Sequence, residues 1–284
     1  MPFTTRFAPS PTGPLHLGHA FSAMLAHDMA RAAGGQFLLR IEDIDQSRAR
    51  PHWEDQICDD LHWLGLDWPE PVMRQSDRLP AYRDTLQKLW DRGLLYPCTC
   101  NRRDILSALS APQEGTEPAM GPDGPIYPGT CRHLPAPGSP MPDQALRLNM
   151  ARAVAEIGPA PLRFTETGQH PKQVEIAPET LIGTVGDIVL ARRDMGTSYH
   201  LSVVLDDAEQ GITHVVRGQD LFDATQIHVL LQRLLDLPTP SYHHHRLIRD
   251  DQGKRLAKRD DARAIAKYRA EGATLQDIRA MVGL

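Results

Sequence analysis

The N-terminal stretch constrains the chain most, because strand and helix signals alternate there within a single unit. Residues 3–7 (FTTRF) form a short β-rich run, and Ser10-Pro11-Thr12-Gly13-Pro14 breaks it with turn chemistry. From His16 onward Leu17, Ala20, Phe21, Met24, Leu25 and Met29 recur at spacings of three and four. This pattern predicts a helix that Gly34-Gly35 stops. Residues 37–41 (FLLRI) then read as a buried strand. Strand, turn, helix and strand make a βαβ unit of an α/β fold, whose ligand edge lies where strands give way to helix N-termini.

His16 and His19 fall at that edge. Three residues apart on a first turn, both imidazoles can point the same way, and Gly18 leaves room for a flat or bulky ligand to approach the backbone. The N–H groups and partial positive charge of a helix N-terminus favour a phosphate. Nothing at this edge requires a metal.

At 284 residues the chain can bury a core sufficient for one large or two small domains. With 31 Lys and Arg against 36 Asp and Glu there is no global basic field, so any RNA site must be local. Residues 245–269 hold nine Lys or Arg and four Asp, a net of +5, which suits either a phosphate-facing surface or a charged helix face. No apolar run approaches a membrane span, and the N-terminus lacks the layout of a signal peptide. The expectation is a cytoplasmic monomer with no membrane partner. Four cysteines are too few for a disulfide scaffold, which directs attention to a metal or to chance.

Residues 47–66 read as a helix with Trp53, Ile57, Leu61 and Leu64 on one stripe, and Cys58 within it as a buried structural thiol. A second amphipathic helix spans residues 80–92, with Tyr82, Leu86, Leu89 and Trp90 inward and Gly93 ending it. Pro97-Cys98-Thr99-Cys100 then opens a change of character, and residues 112–142 are crowded with Pro and Gly, as an insertion would be. Cys98, Cys100 and Cys131 set three soft ligands at the base of a loop with little apolar material of its own, where zinc can replace a core. Tyr127 and His133 are both candidates for a fourth ligand, and spacing with general zinc chemistry favours His133. Residues 181–207 read as strand-like runs returning to the main domain.

PLHLGHA (residues 14–20) resembles the His-x-Gly-His motif of class I aminoacyl-tRNA synthetases, which bind ATP. RFAPSPTGPLHLGH (residues 6–19) followed by GGQFLLRIEDID (residues 34–45) is similar more narrowly to the glutamyl branch. Complete members append an all-helical anticodon-binding region, and this sequence ends where that region would begin. It therefore resembles the short relatives called glutamyl-Q tRNA(Asp) synthetases. In these the insert resembles Cys-x-Cys followed by Tyr-x3-Cys, with tyrosine as fourth zinc ligand. Tyr127-Pro-Gly-Thr-Cys131 matches that layout.

The resemblance implies a Rossmann-like catalytic domain split into residues 1–96 and 179–242. Between the halves lies a zinc-binding insertion at 97–178, and a loop with a small helical segment follows at 243–284. It implies one structural Zn²⁺ on Cys98, Cys100, Tyr127 and Cys131, and ATP with Mg²⁺ at His16, Gly18, His19, Arg255 and Lys258, with His16, His19 and Lys258 catalytic. Gly253 to Arg259 is similar to a degenerate Lys-Met-Ser-Lys-Ser loop: Arg255 stands for the first lysine, Lys258 is the second, and Ala257 and Arg259 replace the serines. L-glutamate is expected to meet Arg6 at its side-chain carboxylate, Glu42 at its ammonium and Arg217 at its other carboxylate. Ser10 and Tyr199 would orient it, with Ala8 alongside. His200 stands where members often have Asn, which touches local hydrogen bonding more than catalysis.

The implied activity is glutamate activation followed by transfer to queuosine in the anticodon stem-loop of tRNA(Asp). A non-catalytic zinc-stabilised tRNA-binding module, supported by the weakened RLAKR run at residues 255–259, and a minimal enzyme acting on the tRNA 3′ end are the alternatives.

Overall fold

In the computed structural model, which describes residues 2–110, 119–133, 138–249 and 263–284, the opening unit forms as β1 (Thr4–Phe7), α1 (Leu17–Ala32) and β2 (Gln36–Ile41). Ala20, Ala23, Ala26 and Ala30 are all buried, so α1 lies close to its neighbours. The crossing into β2 is tight. A Cβ at Gly35 would fall 2.0 Å from the Phe3 carbonyl oxygen, so only glycine fits there.

The chain continues through α2 (Pro51–Trp63), β3 (Met73–Arg74), α3 (Leu79–Asp91), β4 (Leu95–Cys98) and α4 (Arg102–Ser110). A hairpin of β5 (Met120–Gly121) and β6 (Gly124–Pro125) follows, then β7 (Ala145–Leu148), α5 (Met150–Ile157), β8 (Leu162–Glu166) and β9 (Lys172–Ile176). The last third holds α6 (Thr180–Thr184), β10 (Val189–Ala191), α7 (Tyr199–Glu209), β11 (His214–Gly218), α8 (Thr225–Leu234), β12 (Ser241–His245), α9 (Ile265–Ala270) and α10 (Leu275–Val282).

β1, β2 and β3 pair in parallel, as do β11, β12 and β8, while β9 runs antiparallel to β8. β1 and β11 lie side by side, tied by Thr213 N–H to the Thr4 carbonyl at 2.9 Å and Thr4 N–H to Thr213 Oγ1 at 2.8 Å. The strand order therefore reads β3-β2-β1-β11-β12-β8-β9, with the chain reversing direction across the β1/β11 seam. That is where an open parallel sheet forms its ligand crevice. A separate antiparallel sheet, β10-β7-β4, carries the middle of the chain.

One apolar cluster joins α1, β1, β2, α2 and the C-terminal helices through Met24, Leu39, Ile57, Leu61, Ile265, Ile278 and Val282. The other joins α3, the small sheet, α7 and α8. Burying each such side chain is worth about 1.5–3 kcal/mol. Ile265 N–H bonds the Leu15 carbonyl at 2.8 Å, so α9 starts against the turn that leads into α1.

Three sequence expectations are amended. The helix expected over residues 47–66 begins at Pro51, because proline at the first helical position has no N–H to lose. Residues 181–207, expected as strands, contain α6, only the short β10, and most of α7. Ser198 caps α7 by accepting from Leu201 N–H. Residues 200–204, 206 and 207 are buried, so the segment is enclosed nearly all round and shows no helical period. Strands β8 and β9, assigned from sequence to the insertion, extend the large sheet instead. Among the described residues no helix is long and apolar enough to cross a membrane.

Candidate active site

The carboxyl ends of β1, β2, β11 and β12 and the start of α1 converge on one edge of the sheet, and two cavities open there. One, of about 400 Å³, is lined by Phe7, Ala8, His16, Gly18, His19, Arg217 and Gly218 among others. The other, of about 240 Å³, is lined by Ser10, Thr12, Glu42, Gln75, Arg192, Met195 and Tyr199 with their neighbours.

His16 and His19 form the cap of α1. His16 Nδ1 accepts from Gly18 N–H at 3.1 Å, His19 Nδ1 accepts from His16 N–H at 3.2 Å, and the rings stack with centroids 3.7 Å apart. Each Nδ1 is thus an acceptor, which puts the proton of a neutral ring on Nε2 and makes that nitrogen the donor. Gly18 serves the cap as well as any ligand, since a Cβ there would sit 3.0 Å from His16 Cε1.

Beside the second cavity lies a buried charge network. Arg6 donates from Nε and Nη2 to the two oxygens of Asp207 at 2.8 and 3.3 Å. Arg40 donates from Nη1 to Asp207 Oδ1 at 2.7 Å and from Nη2 to Glu42 Oε1 at 3.2 Å. Burial alone would raise the Asp207 pKa, but Arg6 and Arg40 outweigh it and hold the carboxyl below its usual range. At Glu42 burial wins over Arg40 and Arg6, and the pKa is raised. Two cations and two carboxylates thus balance, and Arg6, which lines neither cavity, already has a counter-ion.

Arg217, 6% exposed, is different. It donates from Nε to His244 Nε2 at 3.1 Å, from Nη1 to His228 Nδ1 at 3.0 Å, and from Nη2 to Thr225 Oγ1 at 2.7 Å and the Leu221 carbonyl at 3.2 Å. Burial first, then Arg217, lowers the pKa of both histidines, to about 4 for His244 and well below the ordinary value for His228. Arg217 is held by neutral acceptors and keeps its charge for an anion. Sequence reasoning missed Arg40, Asp207, His228 and His244. The RIEDID run contained Arg40, but no local signal marked the other three.

Cys98, Cys100 and Cys131 come together with their sulfurs all within 4.8 Å of one another. Tyr127 Oη lies 3.5 Å from Cys98 Sγ and 3.3 Å from Cys100 Sγ, and it accepts from Cys131 N–H at 2.9 Å. Zn–S bonds of about 2.3 Å in a tetrahedron put sulfurs roughly 3.8 Å apart, and Cys100 Sγ is 3.5 Å from Cys131 Sγ. The donor set and spacing fit such an ion. Burial opposes the Cys131 thiolate, yet hydrogen bonds from Tyr127 and the Thr99 backbone bring its pKa down to about 6. His133 is exposed and stands outside the cluster.

Arg255 and Lys258, with the whole run 253–259, lie outside the described residues, as does 250–262 of the basic segment. In its described part Arg269 pairs with Asp59 at 2.6 Å and Arg246 bonds the Val282 carbonyl.

A family model described as class I tRNA synthetases (E and Q), catalytic domain, matches residues 2–284. A Rhodobacter capsulatus protein named glutamyl-Q tRNA(Asp) synthetase is 68% identical over 283 residues, covering 99% of both chains. A protein of the same name from Symbiobacterium thermophilum is 43% identical over 96% of this chain and 83% of its own. A glutamate tRNA ligase from Elizabethkingia meningosepticum, crystallised with its amino acid, superposes with a TM-score of 0.73 at 25% identity. All of this chain is covered and 61% of that one, so the chain spans about three-fifths of the ligase. Methionyl-tRNA synthetase of Mycobacterium tuberculosis shares the fold at a TM-score of 0.60 and 12% identity, over 99% of this chain and 64% of its own.

Proposed function

The chain belongs to the class I tRNA synthetases of the E and Q type, and from that premise we propose that it joins L-glutamate to ATP and transfers the glutamyl group to queuosine in the anticodon stem-loop of tRNA(Asp). What carries the activation step is the adjacency of two cavities, one walled by Glu42 and Tyr199, the other by the histidine cap and Arg217. The acceptor is taken from the name of the relatives that match nearly the whole chain.

Glutamate's α-carboxylate is ionised near neutral pH and needs no general base. One of its oxygens attacks the α-phosphorus of ATP, the bond to the bridging oxygen breaks, and pyrophosphate leaves. His16 and His19 donate from Nε2 to phosphate oxygens as charge develops, and Lys258 with Arg255 follows the pyrophosphate. Mg²⁺, when bound with ATP, neutralises part of the phosphate charge.

Arg217 meets one carboxylate and Glu42 the ammonium, and Ser10 and Tyr199 orient the molecule beside Ala8, while Arg6 stays on Asp207 and holds the network that positions Glu42. A glutamine amide would set N–H against guanidinium N–H and leave buried donors unpaired. A hydroxyl of the queuosine cyclopentene diol then attacks the acyl carbon, AMP departs, and an ester forms. The net positive charge of residues 245–269 would attract the phosphates of the stem. Cys98, Cys100, Cys131 and Tyr127 hold one Zn²⁺, which would cross-link the 98–131 segment in place of an apolar core.

Glutamate-dependent ATP–pyrophosphate exchange without RNA tests the first step. Its absence would return the chain to the non-catalytic reading.

A further inference from the structure

Arg217 can only donate hydrogen bonds, and this fixes the proton on every ring connected to it. His228 accepts from Arg217 at Nδ1, so its proton is on Nε2, which lies 3.1 Å from His200 Nδ1. His200 therefore accepts at Nδ1 and carries its proton on Nε2, 3.2 Å from Asp123 Oδ1. On its other side Arg217 donates to His244 Nε2, leaving the His244 proton on Nδ1 at 2.5 Å from Glu166 Oε2. Every bond in both chains points away from the guanidinium, and each chain ends on a carboxylate. His200 and His228 are 7% and 1% exposed, whereas the Asp123 side chain is 42% exposed in the turn between β5 and β6.

We propose that Asp123, His200 and His228 form a positioning chain that fixes Arg217 for a substrate carboxylate while keeping the guanidinium free of any direct counter-ion among the described residues. Aligned donors polarise one another, so the Asp123 charge makes each Nδ1 in turn a better acceptor. The guanidinium is held by its N–H groups without the charge cancellation that Asp207 imposes on Arg6. The hairpin that carries Asp123 thereby joins the substrate site. It runs two residues on into Tyr127, and its β5 is seated so closely on α6 that a Cβ at Gly121 would meet the Thr184 carbonyl oxygen at 2.8 Å. An amide could do what His200 does, accepting with its oxygen and donating with its nitrogen. A hydrocarbon could do neither.

The inference rests on the glutamate-activating reading, and steady-state ATP–pyrophosphate exchange separates the two. His200→Leu is expected to raise the KM for glutamate about 10-fold, with kcat and the KM for ATP nearly unchanged, because a ground-state and transition-state contact is weakened equally. His200→Asn should recover most of the loss. If His200→Leu does not fold, Asp123→Ala removes only the exposed terminus and should raise the glutamate KM about 3-fold, with Asp123→Asn intermediate. A wild-type chain without glutamate-dependent exchange would overturn both the reading and the chain. An active wild type with unchanged glutamate KM in His200→Leu and Asp123→Ala, or a fall in kcat alone, would overturn the chain and leave the reading standing.

Discussion

Replacing Asp207 with alanine removes the single group that binds two buried arginines together. Three guanidinium N–H groups lose their acceptor, those at 2.8, 3.3 and 2.7 Å, and the site of Arg6, Arg40 and Glu42 is left with one uncompensated positive charge. Breaking a buried pair in this way costs about 3–5 kcal/mol, and a chain of this size loses roughly 2–4 °C in Tm for each kcal/mol. A fall of roughly 10 °C is therefore expected for Asp207→Ala, and a smaller one for Asp207→Asn, which keeps one carbonyl acceptor. Glu175→Ala breaks an exposed pair with Arg163 and serves as the comparison, at no more than about 1 kcal/mol. Differential scanning calorimetry without ligands measures both. An Asp207→Ala midpoint within about 2 °C of wild type, or equal to that of Glu175→Ala, would refute the claim that this carboxylate anchors the site.

Metal analysis of protein purified without added zinc should give one zinc per chain. Cys98→Ser and Tyr127→Phe should lose it and His133→Ala should keep it, and the reverse for the last two would remove tyrosine from the ligand set. His16→Ala and His19→Ala should slow glutamate activation on the order of 100-fold, and each should also cost about 1 kcal/mol of stability because each supports the α1 cap. Stability loss of that size with an unchanged exchange rate would make them structural only. Stability should also fall in acid. His228 and His244 are both depressed by burial and Arg217, His228 well below its ordinary value and His244 to about 4, so the unfolded chain takes up their protons near pH 6.5 while the folded chain resists to lower pH. Their contribution is complete above that range and is lost as the pH falls through it. A Tm that stays flat from pH 7 to pH 4.5 would contradict this assignment.

Much of the fold was legible because its signals are local. The βαβ opening announced itself through helical spacing after His16, the Gly34-Gly35 stop and a compact apolar strand, and the cysteine cluster through Cys98-Thr99-Cys100. Helix α7 was not legible, since a segment buried nearly all round loses the polar stripe that gives a helix its period. The site divides in the same way. His16, Gly18 and His19 interact within one turn and could be read together. Asp207 meets Arg6 across 201 residues, and His228 meets His200 across 28, so no spacing rule finds either pair. Arginine also reads from sequence as available charge. Only the structure distinguishes Arg6, paired with Asp207, from Arg217, held by neutral rings.

The central claim concerns where the glutamyl group goes. Two anticodon stem-loops of tRNA(Asp), identical except that one carries queuosine and the other guanosine at the wobble position, can be incubated with the chain, labelled glutamate, ATP and Mg²⁺, then resolved by acid gel and mass spectrometry. The queuosine RNA should gain one glutamyl residue and the guanosine RNA none. Label on the 3′ end of tRNA(Glu), or on both stem-loops alike, would contradict the assignment.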